Sequence, residues 1–171
     1  MTAPRLYRLW IPTLLGVLAL VASAPAEPAS LGKADRILIL KSERKLTLYR
    51  EDKPLKTYLV ALGGSPIGDK QCQGDQRTPG IYRIELKNQA SRFHLSLRVS
   101  YPDATDKADA RKRGCSPGGD IMIHGLGKSF AHLGKLHRAT DWTLGCVAVT
   151  NEEIEEIWAA VDVGTAVEIR P

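Results

Sequence analysis

The sequence predicts a mainly β domain of the α+β class, in which a sheet dominates and one helix packs against it. Short apolar runs recur between residues 36 and 99, and the run over 45–50 shows the period of two of a strand with one buried face. They succeed one another as consecutive hairpins, which makes the sheet largely antiparallel. A single clear helix signal stands near the C-terminus, where Thr150 precedes Glu153 in a capping box and Ile154, Ile157, Trp158 and Val161 form one apolar face.

The elements follow in order. Strands are expected over 36–41, 45–50, 55–62, 81–86 and 94–99. In the second, Leu46 and Leu48 alternate with Lys45, Thr47 and Tyr49, and Glu51-Asp52-Lys53-Pro54 reads as a hairpin connection. Residues 63–80, rich in Gly, Pro, Asp and Gln, are long enough for a functional loop. Residues 103–113 alternate charge with alanine and lack an apolar face, which fits either a short exposed helix or a loop. Gly164 ends the C-terminal helix, and 167–169 reads as a closing strand. No internal repeat or linker interrupts 35–171, which is therefore a single domain.

Composition narrows the function classes. The chain has 171 residues, 43% hydrophobic, 25% charged and 6% aromatic, so it is neither disordered nor collagen-like. Its formal net charge is +5, and about +3 without Arg5 and Arg8, which is too mild for a nucleic-acid binder.

Those two arginines open a segment with the grammar of a signal peptide: a basic start, an apolar run from Leu9 to Ala22, then Ala24-Pro25-Ala26 before Glu27. Residues 1–26 are expected to be removed and 27–34 to be a short linker. The alternative is an uncleaved anchor, although the apolar run falls short of the ~20 residues a spanning helix needs. Either way the domain faces outward, in the periplasm or cell envelope. It is at most peripheral to the membrane and is expected to be a monomer.

An exported chain with three cysteines leaves one thiol unpaired. Cys72 and Cys115 lie in polar, loop-like sequence and are expected to pair. Closing a loop of about 43 residues would stabilise the fold by about 4 kcal/mol in the chain-entropy model. Three independent thiols are the other reading. Cys146 lies instead in Thr143-Leu144-Gly145-Cys146-Val147-Ala148, between a glycine and an apolar run, and is the candidate functional thiol.

His124 ends the run Ile121-Met122-Ile123 and is followed at once by Gly125. An imidazole beside a thiol promotes the thiolate, which attacks carbonyls. The backbone N–H groups of Gly145 and Cys146 are candidate oxyanion donors. A buried thiol with a satisfied core histidine is the plainer reading of the two residues taken alone. His132 and His137 lie eight and five residues along from their predecessors among His124, His132 and His137, which matches no common zinc spacing, so no metal and no cofactor is expected. Candidate substrate-binding residues are Thr143, Trp142, Tyr101 and Arg98, with Arg111 and Arg113 nearby; a solvated basic face is the plainer reading of the arginines.

Ile123-His124-Gly125, a helix-like insert and Thr143-Leu144-Gly145-Cys146-Val147 together resemble the signature of the YkuD-type L,D-transpeptidases, as does Thr78-Pro79-Gly80-Ile81-Tyr82. The run from Gly145 to Asn151 and Ser116-Pro117-Gly118-Gly119-Asp120 look like a YafK-like branch. The resemblance covers 35–171. It implies a β-rich sandwich or barrel with a helix packed after the cysteine segment, and a Cys-linked acyl-enzyme formed with peptidoglycan stem peptides. It assigns Cys146 as nucleophile, His124 as general base and the Gly125 carbonyl as the group holding the imidazole tautomer. The chain departs from the common motif at Leu144 and Ala148, where the family has His and Arg, and so lacks the arginine fork that grips carboxylates. A murein amidohydrolase using the same chemistry, and a catalytically silent wall-binding module, are the alternatives.

Overall fold

Alternation along the first hairpin accounts for its burial. In the computed structural model, which describes residues 31–64 and 80–171, β1 (Arg36–Leu40) runs antiparallel to β2 (Lys45–Arg50), setting Ile37 opposite Leu48 and Ile39 opposite Leu46. Side chains two apart share a face, and all four of these lie in the core. The next turn is made by Glu51 and Asp52, both with left-handed backbone (φ 47 and 61), the twist that a two-residue hairpin needs. It leads into β3 (Lys53–Leu59). That strand starts earlier than the apolar run that announces it, because Lys53 and Pro54 pair with Arg50 and Tyr49 on an exposed edge.

β4 (Gly80–Ser91) runs on well past its expected end at 86. Its first residues pair with β8 (Ala166–Arg170), and from Ile84 onward it pairs with β5 (His94–Val99). β6 (Ile121–His124) lies antiparallel to β5, and β7 (Val147–Ala148) lies parallel to β6. The order across the eight-stranded sheet is β3-β2-β1-β8-β4-β5-β6-β7. Most pairs are antiparallel as expected, but β1–β8 and β6–β7 are parallel, each joined through a long connection as parallel neighbours must be. Just beyond β3, Ala61 exchanges two backbone hydrogen bonds with Ala148 of β7 (3.0 and 2.9 Å). The two ends of the sheet are thereby drawn together, and the sheet curls into a half-barrel.

Helix α1 (Ala104–Lys112) resolves the helix-or-loop alternative: Asp103 and Asp106 form a capping box that sets its start. Helix α2 (Asn151–Ala160) is capped by Thr150, whose hydroxyl accepts the Glu153 N–H while the Glu153 carboxylate accepts the Thr150 N–H. Its Ile154 and Ile157 enter the same core as the β1–β2 hairpin. The stretch expected to be a linker joins the domain at its end, since Ala34 donates to the Ala160 carbonyl (2.8 Å) and Leu31 packs on the core. The expected signal segment, Cys72 and the Thr78-Pro79 pair lie outside the described residues. Among the described residues no helix is long and apolar enough to cross a membrane.

Candidate active site

Strand register brings the histidine and the cysteine together. Ile123 pairs with Val147 and His124 with Ala148, so one residue back along β7 the backbone places Cys146 beside Met122. Ile123 and Val147 turn into the core, and alternation sends Met122, His124 and Cys146 to the opposite face. All three line one cleft of about 470 Å³, together with Phe93, Trp142 and Leu144.

His124 is 2% exposed. Its Nδ1 stands 2.7 Å from the Gly125 carbonyl. A carbonyl only accepts, so Nδ1 carries the proton and Nε2 is the basic nitrogen. The Phe93 ring lies on the imidazole at 4.4 Å between centroids, and Trp142 meets it edge-on at 6.0 Å. Burial pushes the His124 pKa below its ordinary 6.5, with the Gly125 hydrogen bond acting in the opposite direction. The ring is therefore neutral at neutral pH and able to accept a proton.

The strand end can approach α2 this closely only because residue 125 has no side chain. A Cβ on Gly125 would come within 2.7 Å of Asn151 Oδ1 and 2.8 Å of Ile154 Cγ2, both on α2. Asn151 Oδ1 also accepts the Leu126 N–H (2.7 Å), tying the turn after the histidine to the start of the helix. On the cysteine side, the Thr143 hydroxyl donates to the Cys146 carbonyl (2.8 Å) and accepts the Gly145 N–H (3.2 Å). Gly145 has φ 121, a value that side chains rarely permit. The whole segment is hung from the end of β3: the Thr143 N–H donates to the Leu62 carbonyl, and Asp141 accepts the Leu62 N–H and both a terminal and the ε nitrogen of Arg44.

The other expected site residues divide. Trp142 lines the cleft. Thr143 borders it too, but its hydroxyl is engaged within the turn that shapes the cysteine loop. The Gly145 N–H, expected as an oxyanion donor, is directed at that same hydroxyl. Tyr101 is a core residue whose hydroxyl donates to the Pro117 carbonyl (2.7 Å), and it does not line the cleft. Arg98 is engaged by Glu85 and Asp120 (3.3 and 3.5 Å) and does not line the cleft. Cys115 is disulfide-bonded, Cys146 stands outside any disulfide, and Cys72 is outside the described residues.

Sequence reasoning missed Arg92, Phe93 and Asp120 on the cleft wall, as well as the Arg44–Asp141 pair. Phe93 falls in a short hairpin turn with no periodic signal around it. Arg44 and Asp141 are far apart in the chain and meet only through folding.

Residues 34–169 match the L,D-transpeptidase catalytic domain, YkuD. The chain belongs to this family. "Putative L,D-transpeptidase YafK" of Escherichia coli K12 is 31% identical over 139 residues, spanning 77% of this chain and 48% of that protein. The chain thus covers about half the length of this relative. Among solved structures, the helical cell shape determining protein Pgp2 of Campylobacter jejuni superposes with a TM-score of 0.56 at 24% identity, covering 82% of this chain and 50% of that one. Bd1075 of Bdellovibrio bacteriovorus gives 0.55 at 20% identity (82% and 51%). L,D-transpeptidase 1 of Mycobacterium tuberculosis gives 0.50 at 16% identity (82% and 63%). At these identities the likeness is one of fold, and the YkuD half-barrel is what they share.

Proposed function

We propose that this YkuD domain is a peptidoglycan L,D-transpeptidase that works through a thioester on Cys146. The supporting observation is that His124 and Cys146 project from neighbouring strands into one cleft, with the imidazole held by the Gly125 carbonyl in the tautomer whose Nε2 is basic. Nε2 takes the thiol proton, and Sγ attacks the carbonyl carbon of meso-diaminopimelate in its amide bond to D-alanine in a stem peptide. The tetrahedral intermediate collapses as the imidazolium gives its proton to the departing amine of D-alanine. An amine from a second stem peptide then attacks the thioester, His124 again accepts and returns a proton, and the thiol is restored. A carbonyl in place of a carboxylate behind the imidazole orients the ring without adding charge.

The proposed place of action is the cell envelope, to which residues 1–26 would direct the chain as a cleaved signal peptide, with the domain working as a monomer in cross-linking or remodelling the wall. Incubation of the purified protein with disaccharide tetrapeptides, read by product mass, tests the reaction. Cross-linked dimers with release of D-alanine are expected. Trimmed tripeptide products without dimers would assign hydrolysis instead. Cys146→Ala is expected to lose all turnover and keep its fold, and product formation by that variant would end the mechanism.

A further inference from the structure

The Arg92-Phe93 turn between β4 and β5 divides the catalytic cleft from a second, larger cavity of about 730 Å³, and its two residues line both. We propose that this second cavity is a subsite for carboxylates of the peptide substrate, gripped by the Arg92 guanidinium and the Lys128 ammonium. The proposal rests on the reading that a peptide amide reacts at Cys146, and it names where the acidic remainder of that peptide lies.

Charge is the first support. Arg92 and Lys128 both line the cavity and, among the described residues, no Asp or Glu does; His94, also on its wall, is held by Glu155 at 2.7 Å. Neither Arg92 nor Lys128 enters an ion pair among the described residues. Arg98, a candidate cation from the sequence, is already engaged by two carboxylates, and one of them, Asp120, lines the catalytic cleft. A carboxylate entering beside Cys146 meets Asp120 on the wall, whereas beyond Phe93 the lining carries Arg92 and Lys128.

Geometry is the second. The guanidinium rests 4.9 Å from the centre of the Phe93 ring, and that ring in turn stacks on His124. Stacking orients the planar fork, so less freedom is lost when it closes on a carboxylate. The turn can lie this close to the segment bearing Lys128 because residue 127 is glycine: a Cβ there would approach the Arg92 carbonyl to 3.1 Å. Both cations are thus set on one cavity, one aromatic ring away from the imidazole. Arg92 presents its guanidinium fork on the wall that both cavities share.

The test is calorimetric titration of the full chain carrying Cys146→Ala with a stem tetrapeptide, and with the same peptide bearing its carboxylates as amides. Binding of the acidic peptide is expected to be at least about tenfold tighter and to weaken with added salt, as a charge-assisted contact requires. Arg92→Gln and Lys128→Gln, introduced separately, should each remove most of that difference, and Arg92→Lys should restore part of it. Equal affinity for the two peptides, absent binding, or a preference untouched by both substitutions in variants of unchanged circular dichroism overturns the subsite. Turnover of disaccharide tetrapeptides by the parent enzyme is measured in parallel. Carboxylate-dependent binding without turnover supports the subsite and removes only the acyl-transfer reading; turnover with the same KM in both Gln variants removes only the subsite.

Discussion

The protonation of His124 is set by two opposed influences: enclosure by Phe93 and Trp142 disfavours its charged form, and the Gly125 carbonyl favours it, with enclosure the larger. A prediction about pH follows at the scale of this one residue. A base whose pKa lies below 6.5 stays unprotonated down to that range, so the acid limb of kcat/KM should fall below pH 6.5. Phe93→Ala opens one face of the ring to water and should move the limb upward, toward the value of exposed histidine. A profile measured from pH 4 to 8 that does not shift in the variant would show that the Phe93 ring contributes no desolvation. Arg92 must be read together with Phe93, because the guanidinium stacks on the same ring; the Phe93→Ala substitution should therefore also weaken binding of the acidic tetrapeptide.

Among the elements, the contact that matters most to the site is the one between the end of β6 and the start of α2. Thr150 and Glu153 cap the helix, Asn151 in its first turn holds the Leu126 N–H, and Ile154 packs behind Gly125. Arg138, in the 3-10 segment Ala131–Ala139 that links the two halves of the motif, pairs with Glu153, so the insert is pinned to the same helix end. Gly125→Ala forces a methyl group against Asn151 Oδ1 and Ile154 Cγ2. Overpacking of this kind costs roughly 1–3 kcal/mol. Because the relief available is movement of the strand end that bears His124, kcat should fall more than the loss of stability alone explains. Urea denaturation and steady-state kinetics on the same preparation separate the two effects, and a variant of lower stability but full kcat would show that the strand end does not move.

At the scale of the whole molecule, stability should depend on pH in a direction set by buried histidines. His137, enclosed beside Trp142, has its pKa lowered to about 4, chiefly by burial. The unfolded chain takes up this proton near pH 6.5, while the folded protein does so only near 4. Between those values the unfolded state binds more protons, so stability is full above pH 6.5 and is lost as pH falls toward 4. His124 acts in the same direction. Thermal melts across that window should show Tm falling with acidification, and His137→Gln should flatten the slope; a Tm that holds level in the parent would contradict it. The cross-link is tested on the same scale. With Cys115 in a disulfide and Cys146 outside any, alkylation of unfolded, unreduced protein should add one label, on Cys146. Three labels would remove the proposed Cys72–Cys115 bridge and the roughly 4 kcal/mol assigned to it.

Much of this protein is determined locally, and those parts are legible in the chain by itself. A continuous apolar run marks β1, period-two alternation marks β2 because Leu46 and Leu48 face the core together, and the Thr150–Glu153 box marks the start of α2 because capping involves only neighbouring residues. The likeness of the His124-Gly125 and Gly145-Cys146 segments to the YkuD signature, and with it the family, is also carried by short runs of sequence. Tertiary structure decided the rest. Residues 87–91 of β4 lack apolar alternation since they extend a hairpin partly into solvent, so the strand's length and the Arg92-Phe93 turn at its tip became visible only through pairing with β5. Which arginine is available to an acidic substrate depends on where Glu85 and Asp120 stand in space, and Tyr101 could be assigned to the core only once Pro117 was seen to receive its hydroxyl. Periodicity and capping are short-range properties, whereas the pairing of charges and the enclosure of rings arise between residues that only the fold brings into contact.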